Sequence, residues 1–181
     1  MRILAISGSP RRGGNTDTAA KRALEMLAGL GKTKFLRVHD HHIKHCLGCR
    51  RCMEIMRCAI QDDDFEGVLA EWQSADVLIV AAPVYWLGPP GALKDFIDRS
   101  HGLYAHQVRP FAGKKAAIVS VATASGFETH ERMLSTWLGH YGADIVGEVR
   151  LLAREKDDLA GHPAELRKLS DFIEGIKARL A

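Results

Sequence analysis

The stretch that decides the fold is Met1-Arg-Ile-Leu-Ala-Ile-Ser7 running into Gly8-Ser-Pro-Arg-Arg-Gly-Gly-Asn-Thr-Asp-Thr18. Ile3–Ile6 is a short continuous apolar run, the pattern of a strand buried on both faces of a parallel sheet. The Gly-rich segment after it opens directly into a helical pattern at Thr16–Leu30. A strand that ends where a helix begins exposes unpaired backbone N–H groups and the positive end of a helix dipole. Anionic phosphate is stabilised at such a junction. Gly13 and Gly14 allow close approach of a backbone, and Ser7, Ser9, Thr16 and Thr18 supply hydroxyls. Arg11 or Arg12 supplies charge. A plain turn with Asn15 or Thr16 as helix cap also accounts for part of the pattern. The nucleotide-binding pattern that ends in Gly-Lys-Ser/Thr is not met, because Gly14 is followed by Asn15, and Gly-x-Gly-x-x-Gly is absent. The loop therefore reads as a cradle for a mononucleotide phosphate.

Further along, Val77–Ala82 and Ala116–Val121 repeat the buried-strand pattern, with weaker strands at Lys34–Val38 and Ile145–Leu152. Helical patterns occupy Phe65–Ser74, Ala92–His101, Glu128–Tyr141 and Pro163–Leu180. Alternating strands and helices predict an α/β domain, doubly wound about a five-stranded parallel sheet. The flavodoxin-like order 2-1-3-4-5 suits five strands. Residues 39–62 carry no period and are expected as a Cys/His-rich insertion after strand 2, within one domain spanning residues 1–181.

The chain of 181 residues is long enough for one full core. Its 46% hydrophobic and 26% charged residues are ordinary for a soluble protein. A net charge of +3 argues against nucleic acid as the main partner. The apolar start is too short for a signal peptide, and no later run approaches a membrane span, so a cytoplasmic protein is expected. Four cysteines in that compartment point to a metal or redox role rather than to structural disulfides.

Gly8–Thr16 resembles the phosphate loop of the NADPH-dependent FMN reductase-like flavoproteins. A second stretch agrees: Pro83-Val84-Tyr85-Trp86, followed by Lys94-Asp95-Phe96-Ile97-Asp98-Arg99. The resemblance runs to about residue 126. It implies bound FMN, with Ser7, Ser9, Arg11, Asn15 and Thr16 at the phosphate and Pro83, Val84, Tyr85, Trp86 and Gly88 along the ring. Thr123, Ser125 and Gly126 match the family's third flavin loop more loosely. Asp98 and Arg99 are expected to pair with each other on their helix.

The cysteines stand at Cys46-x2-Cys49-x2-Cys52-x5-Cys58, and compact runs of this kind wrap iron–sulfur clusters. The spacing is similar to that of the iron–sulfur flavoproteins, a branch of the same family, in which a 4Fe-4S cluster exchanges electrons with FMN. Asp62–Asp64 resembles the acidic pair that follows the motif there. Zinc and metal-free packing remain alternatives. His39, His41, His42 and His45 lie beside the motif, and residues 32–58 hold seven Lys/Arg against two acidic residues. That charge would balance a cluster or attract an acidic donor protein.

The expected function is an FMN-dependent electron-transfer oxidoreductase, served by small-molecule or protein donors and acceptors. The family resemblance implies a homodimer or homotetramer, in which His101, Tyr104 and His106 could reach a flavin, including a neighbour's. A cluster-free NAD(P)H-dependent reductase of FMN or quinones is the alternative, and a non-redox nucleotide-binding module is a third.

Overall fold

The computed structural model describes residues 1–180. The sheet has five parallel strands in the order β2-β1-β3-β4-β5, as expected: β1 (Arg2–Ser7), β2 (Lys32–Arg37), β3 (Val77–Pro83), β4 (Lys115–Ala122) and β5 (Asp144–Leu152). The helices are α1 (Asn15–Leu27), α2 (Cys52–Ile55), α3 (Phe65–Ser74), α4 (Gly91–Arg99), α5 (His101–Ala105), α6 (Phe127–His140) and α7 (Pro163–Leu180).

Strand residues alternate between two cores, as the two-residue period of a strand dictates. Ile3, Ala5, Val77, Ile79 and Ala81 face α1 and α7. Leu4, Ile6, Leu78, Val80 and Ala82 face α3, α4 and α6. The first core is lined by Ala19, Ala20 and Ala23, whose small side chains let α1 lie close on the sheet. The second is filled by Trp72, Phe96, Phe111 and Trp137, with ring centroids 4.9–6.0 Å apart. That spacing suits tilted and edge-on aromatic pairs.

Two differences from the sequence reading have their causes in tertiary contacts. The helix expected over Ala92–His101 stops at Arg99, and a short α5 follows. Ser100 sits between them as the C-cap of α4, its amide shared between the Phe96 and Ile97 carbonyls at 3.3 and 3.1 Å, while its carbonyl accepts the Tyr141 hydroxyl at 2.7 Å and its own hydroxyl accepts the Trp137 indole N–H at 3.0 Å. Asp98 and Arg99 do not pair with each other. Asp98 accepts from Lys94, four residues earlier on the same face, while Arg99 turns inward to Asp63. Among the described residues, no helix is long and apolar enough to cross a membrane.

Candidate functional site at the strand ends

The loops after β1, β3, β4 and β5 meet at the carboxyl edge of the sheet, where strand order reverses and open α/β sheets bind their ligands. A cavity of about 90 Å³ lies there. Its walls are Ser9, Arg11, Asn15 and Thr16, then Pro83, Val84 and Tyr85, then Val121, Ala122 and Thr123, and finally Ala153, Arg154 and Lys156. Three of these residues are cationic and none is acidic. Whole ligand pockets run to roughly 300–1,000 Å³. The cavity is therefore sized for the anionic end of a ligand, with the remainder lying outside it.

Gly14 is the N-cap of α1, and no side chain caps the helix. The amides of the first helical turn have no carbonyl within the helix to serve them. Asn15, one candidate cap, is used elsewhere: its Nδ2 donates to the Glu155 carbonyl at 2.6 Å and its Oδ1 accepts the Leu159 amide at 3.0 Å. These bonds fasten the loop after β5 to the loop after β1. That loop brings Arg154 and Lys156 to the cavity, a contribution the sequence reading missed. The only trace of it in the sequence is the basic pair itself beyond the last strand.

A buried charge network shapes the β1 loop. Asp17 accepts the Ser7 hydroxyl at 2.5 Å and the Gly13 amide at 2.7 Å, and it pairs with Arg37 Nε at 3.0 Å. Arg37 reaches on to the Ser9 carbonyl at 2.9 Å and to Asp40 at 2.7 Å. Ser7, expected at the ligand, is fully buried with its hydroxyl committed to Asp17, and does not line the cavity. Arg12 also points away, to Asp40, which leaves Arg11 as the loop's cation at the cavity.

Trp86 and Gly88 lie just outside the cavity on a tight hairpin. Tyr85 and Gly88 exchange both backbone hydrogen bonds, at 2.8 and 3.1 Å, across Trp86 and Leu87. Both central residues have positive φ, +46° and +66°, as two-residue hairpin turns require. For non-glycine residues this costs roughly 1–3 kcal/mol each, and such strain persists only where neighbouring structure holds it. Gly126 supports the turn from below: a Cβ there would stand 3.1 Å from both Val84 and Leu87 side chains. The Trp86 ring is fully exposed. Thr123 lines the cavity; Ser125 and Gly126 do not.

His130 on α6 is fully buried, and neither ring nitrogen has a hydrogen-bond partner. Burial holds its pKa below 6.5, outweighing the nearby Gly88 backbone and the Glu131 charge. A depressed folded-state value means that the neutral ring favours the fold fully above pH 6.5. That contribution is lost as pH falls through the folded value. Thermal melts of the wild type between pH 7 and 5 should therefore drop more steeply than those of His130→Leu. Parallel slopes would contradict the assignment.

The Cys-rich insertion folds over α4 and α5, away from this cavity. His106 contacts the Cys52 carbonyl at 2.9 Å, and His45 meets Asp95 at 2.8 Å. His101, Tyr104 and His140 line a separate groove of about 890 Å³ between α4, α5, α6 and the insertion. Within one chain, then, His101, Tyr104 and His106 are not brought to the strand-end cavity. All four cysteines are free, with Cys46 and Cys49 exposed and Cys52 and Cys58 half-buried. They are the right donors for an iron–sulfur cluster. Among the described residues, however, no three His, Cys, Asp or Glu side chains stand close enough together to hold a metal ion.

Fold and cavity together define a flavodoxin-like α/β protein that offers amides, hydroxyls and cations to a phosphate-bearing ligand. Residues 1–158 match the family described as NADPH-dependent FMN reductase. The chain is 34% identical over 150 residues to an iron–sulfur flavoprotein of Methanocaldococcus jannaschii, covering 82% of this chain and 77% of that one. It is 32% identical over 151 residues to an iron–sulfur flavoprotein of Methanosarcina thermophila, covering 82% and 78%. A solved apo structure of an NADH:FMN oxidoreductase shares the fold with a TM-score of 0.71 and 22% identity, over 99% of this chain and 90% of that one. The chain belongs to the NADPH-dependent FMN reductase family, in its iron–sulfur flavoprotein branch, and is an FMN oxidoreductase.

Proposed function

We propose that this is an electron-transfer enzyme whose FMN phosphate occupies the strand-end cavity. The observation that carries the reading is the donor set: uncapped first-turn amides, the Ser9 and Thr16 hydroxyls, and Arg11, Arg154 and Lys156, with no carboxylate in the lining. FMN supplies the redox chemistry, and the chain supplies binding and orientation. Asp17 and Arg37 hold the loop in its binding shape. Tyr85 and the 86–88 hairpin offer aromatic surface and close backbone to the ring, with Gly126 fixing their position. Thr123, Ser125 and Gly126 bound the same end of the sheet.

We further propose that Cys46, Cys49, Cys52 and Cys58 bind a 4Fe-4S cluster that exchanges electrons with the flavin. The four-thiol spacing and the names of the two relatives support this. The thiols must close around a cluster to hold it. The open arrangement of the four thiols favours a second reading, a cluster-free NAD(P)H-dependent reductase of FMN, quinones or similar acceptors. Electrons would pass between small-molecule or protein partners, in a homodimer or homotetramer.

Purification without oxygen, followed by a visible spectrum and iron and sulfide analysis, tests these readings together. Flavin bands with a broad iron–sulfur shoulder are expected. Flavin bands with near-zero iron would remove the cluster and leave the reductase. A colourless protein that cannot be loaded with FMN would sink both.

A further inference from the structure

Taking the cysteine loop as the cluster-bearing segment proposed above, we propose that Arg99 is its positioning residue. The guanidinium closes the base of the loop and fixes Cys58 beside α4 before any metal arrives. Arg99 has five N–H donors, and every one is used. Nε donates to Cys58 Sγ at 2.8 Å. Nη1 donates to the Lys44 carbonyl at 3.0 Å and to Asp63 at 2.6 Å. Nη2 donates to the Ile60 carbonyl at 3.0 Å and to Asp63 at 3.2 Å. The guanidinium also lies 4.6 Å from the centroid of the Phe65 ring.

The side chains of this pair are 0% and 1% exposed, so neither charge has water to fall back on. Asp63 is further held by the amides of Lys44, at 2.9 Å, and Phe65, at 3.2 Å. Lys44 stands just before the first cysteine, and Ile60 and Asp63 stand just after the last. One side chain from α4 thus ties both ends of a 14-residue loop, residues 45–58, to the flavodoxin-like core. Closing such a loop costs chain entropy, and a cluster entering a loop already closed at its base has less of that cost to meet. Lysine is no substitute, because a single ammonium cannot span acceptors spread around a planar fork. The Nε–sulfur contact adds a specific consequence: Cys58 is anchored, whereas Cys46 and Cys49 are exposed.

The test uses the metal-free full chain, alkylated with iodoacetamide at about pH 10, where thiols are ionised and the rate reads access rather than the thiolate fraction that a neighbouring guanidinium raises, with each cysteine followed by peptide mass spectrometry. In the wild type Cys58 should label about tenfold more slowly than Cys46, because a half-buried sulfur held against Arg99 is reached only on local opening, whereas Cys46 is exposed. Arg99→Gln should raise the Cys58 rate about tenfold and leave Cys46 unchanged, with FMN still bound. Iron and sulfide uptake on reconstitution should fall in the same variant. An unchanged Cys58 rate, or a common rise at all four cysteines, would overturn the assignment. Should Arg99→Gln fail to fold, Arg99→Lys carries the same reading: an intermediate Cys58 rate is expected, and a wild-type rate refutes it. A wild-type chain that takes up no iron would sink the cluster reading, while the labelling pattern would still decide the role of Arg99.

Discussion

Asp17→Ala should destabilise the FMN-free protein by about 3–5 kcal/mol, the usual cost of removing one partner of a buried ion pair. Asp17 and Arg37 are only 2% and 5% exposed at their side chains. Without the carboxylate, Arg37 keeps its charge in a dry site with one fewer counter-charge. The Ser7 hydroxyl and the Gly13 amide lose their acceptor at the same time. In a domain of this size each kcal/mol moves the melting temperature by roughly 2–4 °C, so a drop on the order of 10 °C is expected. The contrast is Arg12→Ala, which removes a pair whose cation is 76% exposed. Exposed pairs contribute about 0–1 kcal/mol, and that variant should melt close to the wild type. Thermal and urea unfolding of the two variants decide the matter. Equal, small effects would mean that the buried network does not hold the loop. FMN affinity should fall with Asp17→Ala as well, since the ligand must then order a loop that the wild type presents already ordered.

Thr16→Val should lower FMN affinity about 10–100-fold and leave riboflavin affinity unchanged. The substitution keeps the shape of the side chain and removes one hydroxyl from the cavity wall. A hydrogen bond to a charged group contributes roughly 1.5–3 kcal/mol, and 1.4 kcal/mol is about tenfold in affinity. Riboflavin has no phosphate, so a hydroxyl that serves only the phosphate cannot affect it. Fluorescence titration of both flavins into both proteins gives the four constants required. An equal loss for the two flavins would place Thr16 at the ring or in the fold. No loss for either would move the phosphate away from this cavity.

Much of the candidate site is legible in the sequence because a loop at one strand end is local. The donors sit within a stretch of eight residues at one strand end, so spacing and family resemblance point to Ser9, Arg11, Asn15 and Thr16, and all four line the cavity. Pro83, Val84, Tyr85 and Thr123 follow, because every strand of a parallel sheet delivers its next loop to the same edge. Ser7 lies outside the cavity for a reason no local pattern carries. A serine at a strand end looks the same whether its hydroxyl faces a ligand or a buried carboxylate. The break at Ser100 depends in the same way on Trp137 and Tyr141, about 40 residues later.

The sequence by itself determined the alternation of strands and helices, the parallel character of the sheet and the position of the Gly-rich loop after β1. Those follow from apolar runs and helical periods, which neighbouring residues fix. Only the tertiary structure decided which charges meet: Asp17 with Arg37, Arg99 with Asp63 and Cys58, and Arg154 and Lys156 with a loop more than 130 residues earlier. A charged side chain can choose among many partners, and its choice depends on which groups are shut away from water together. That exclusion is a property of the packed molecule, and no stretch of sequence contains it.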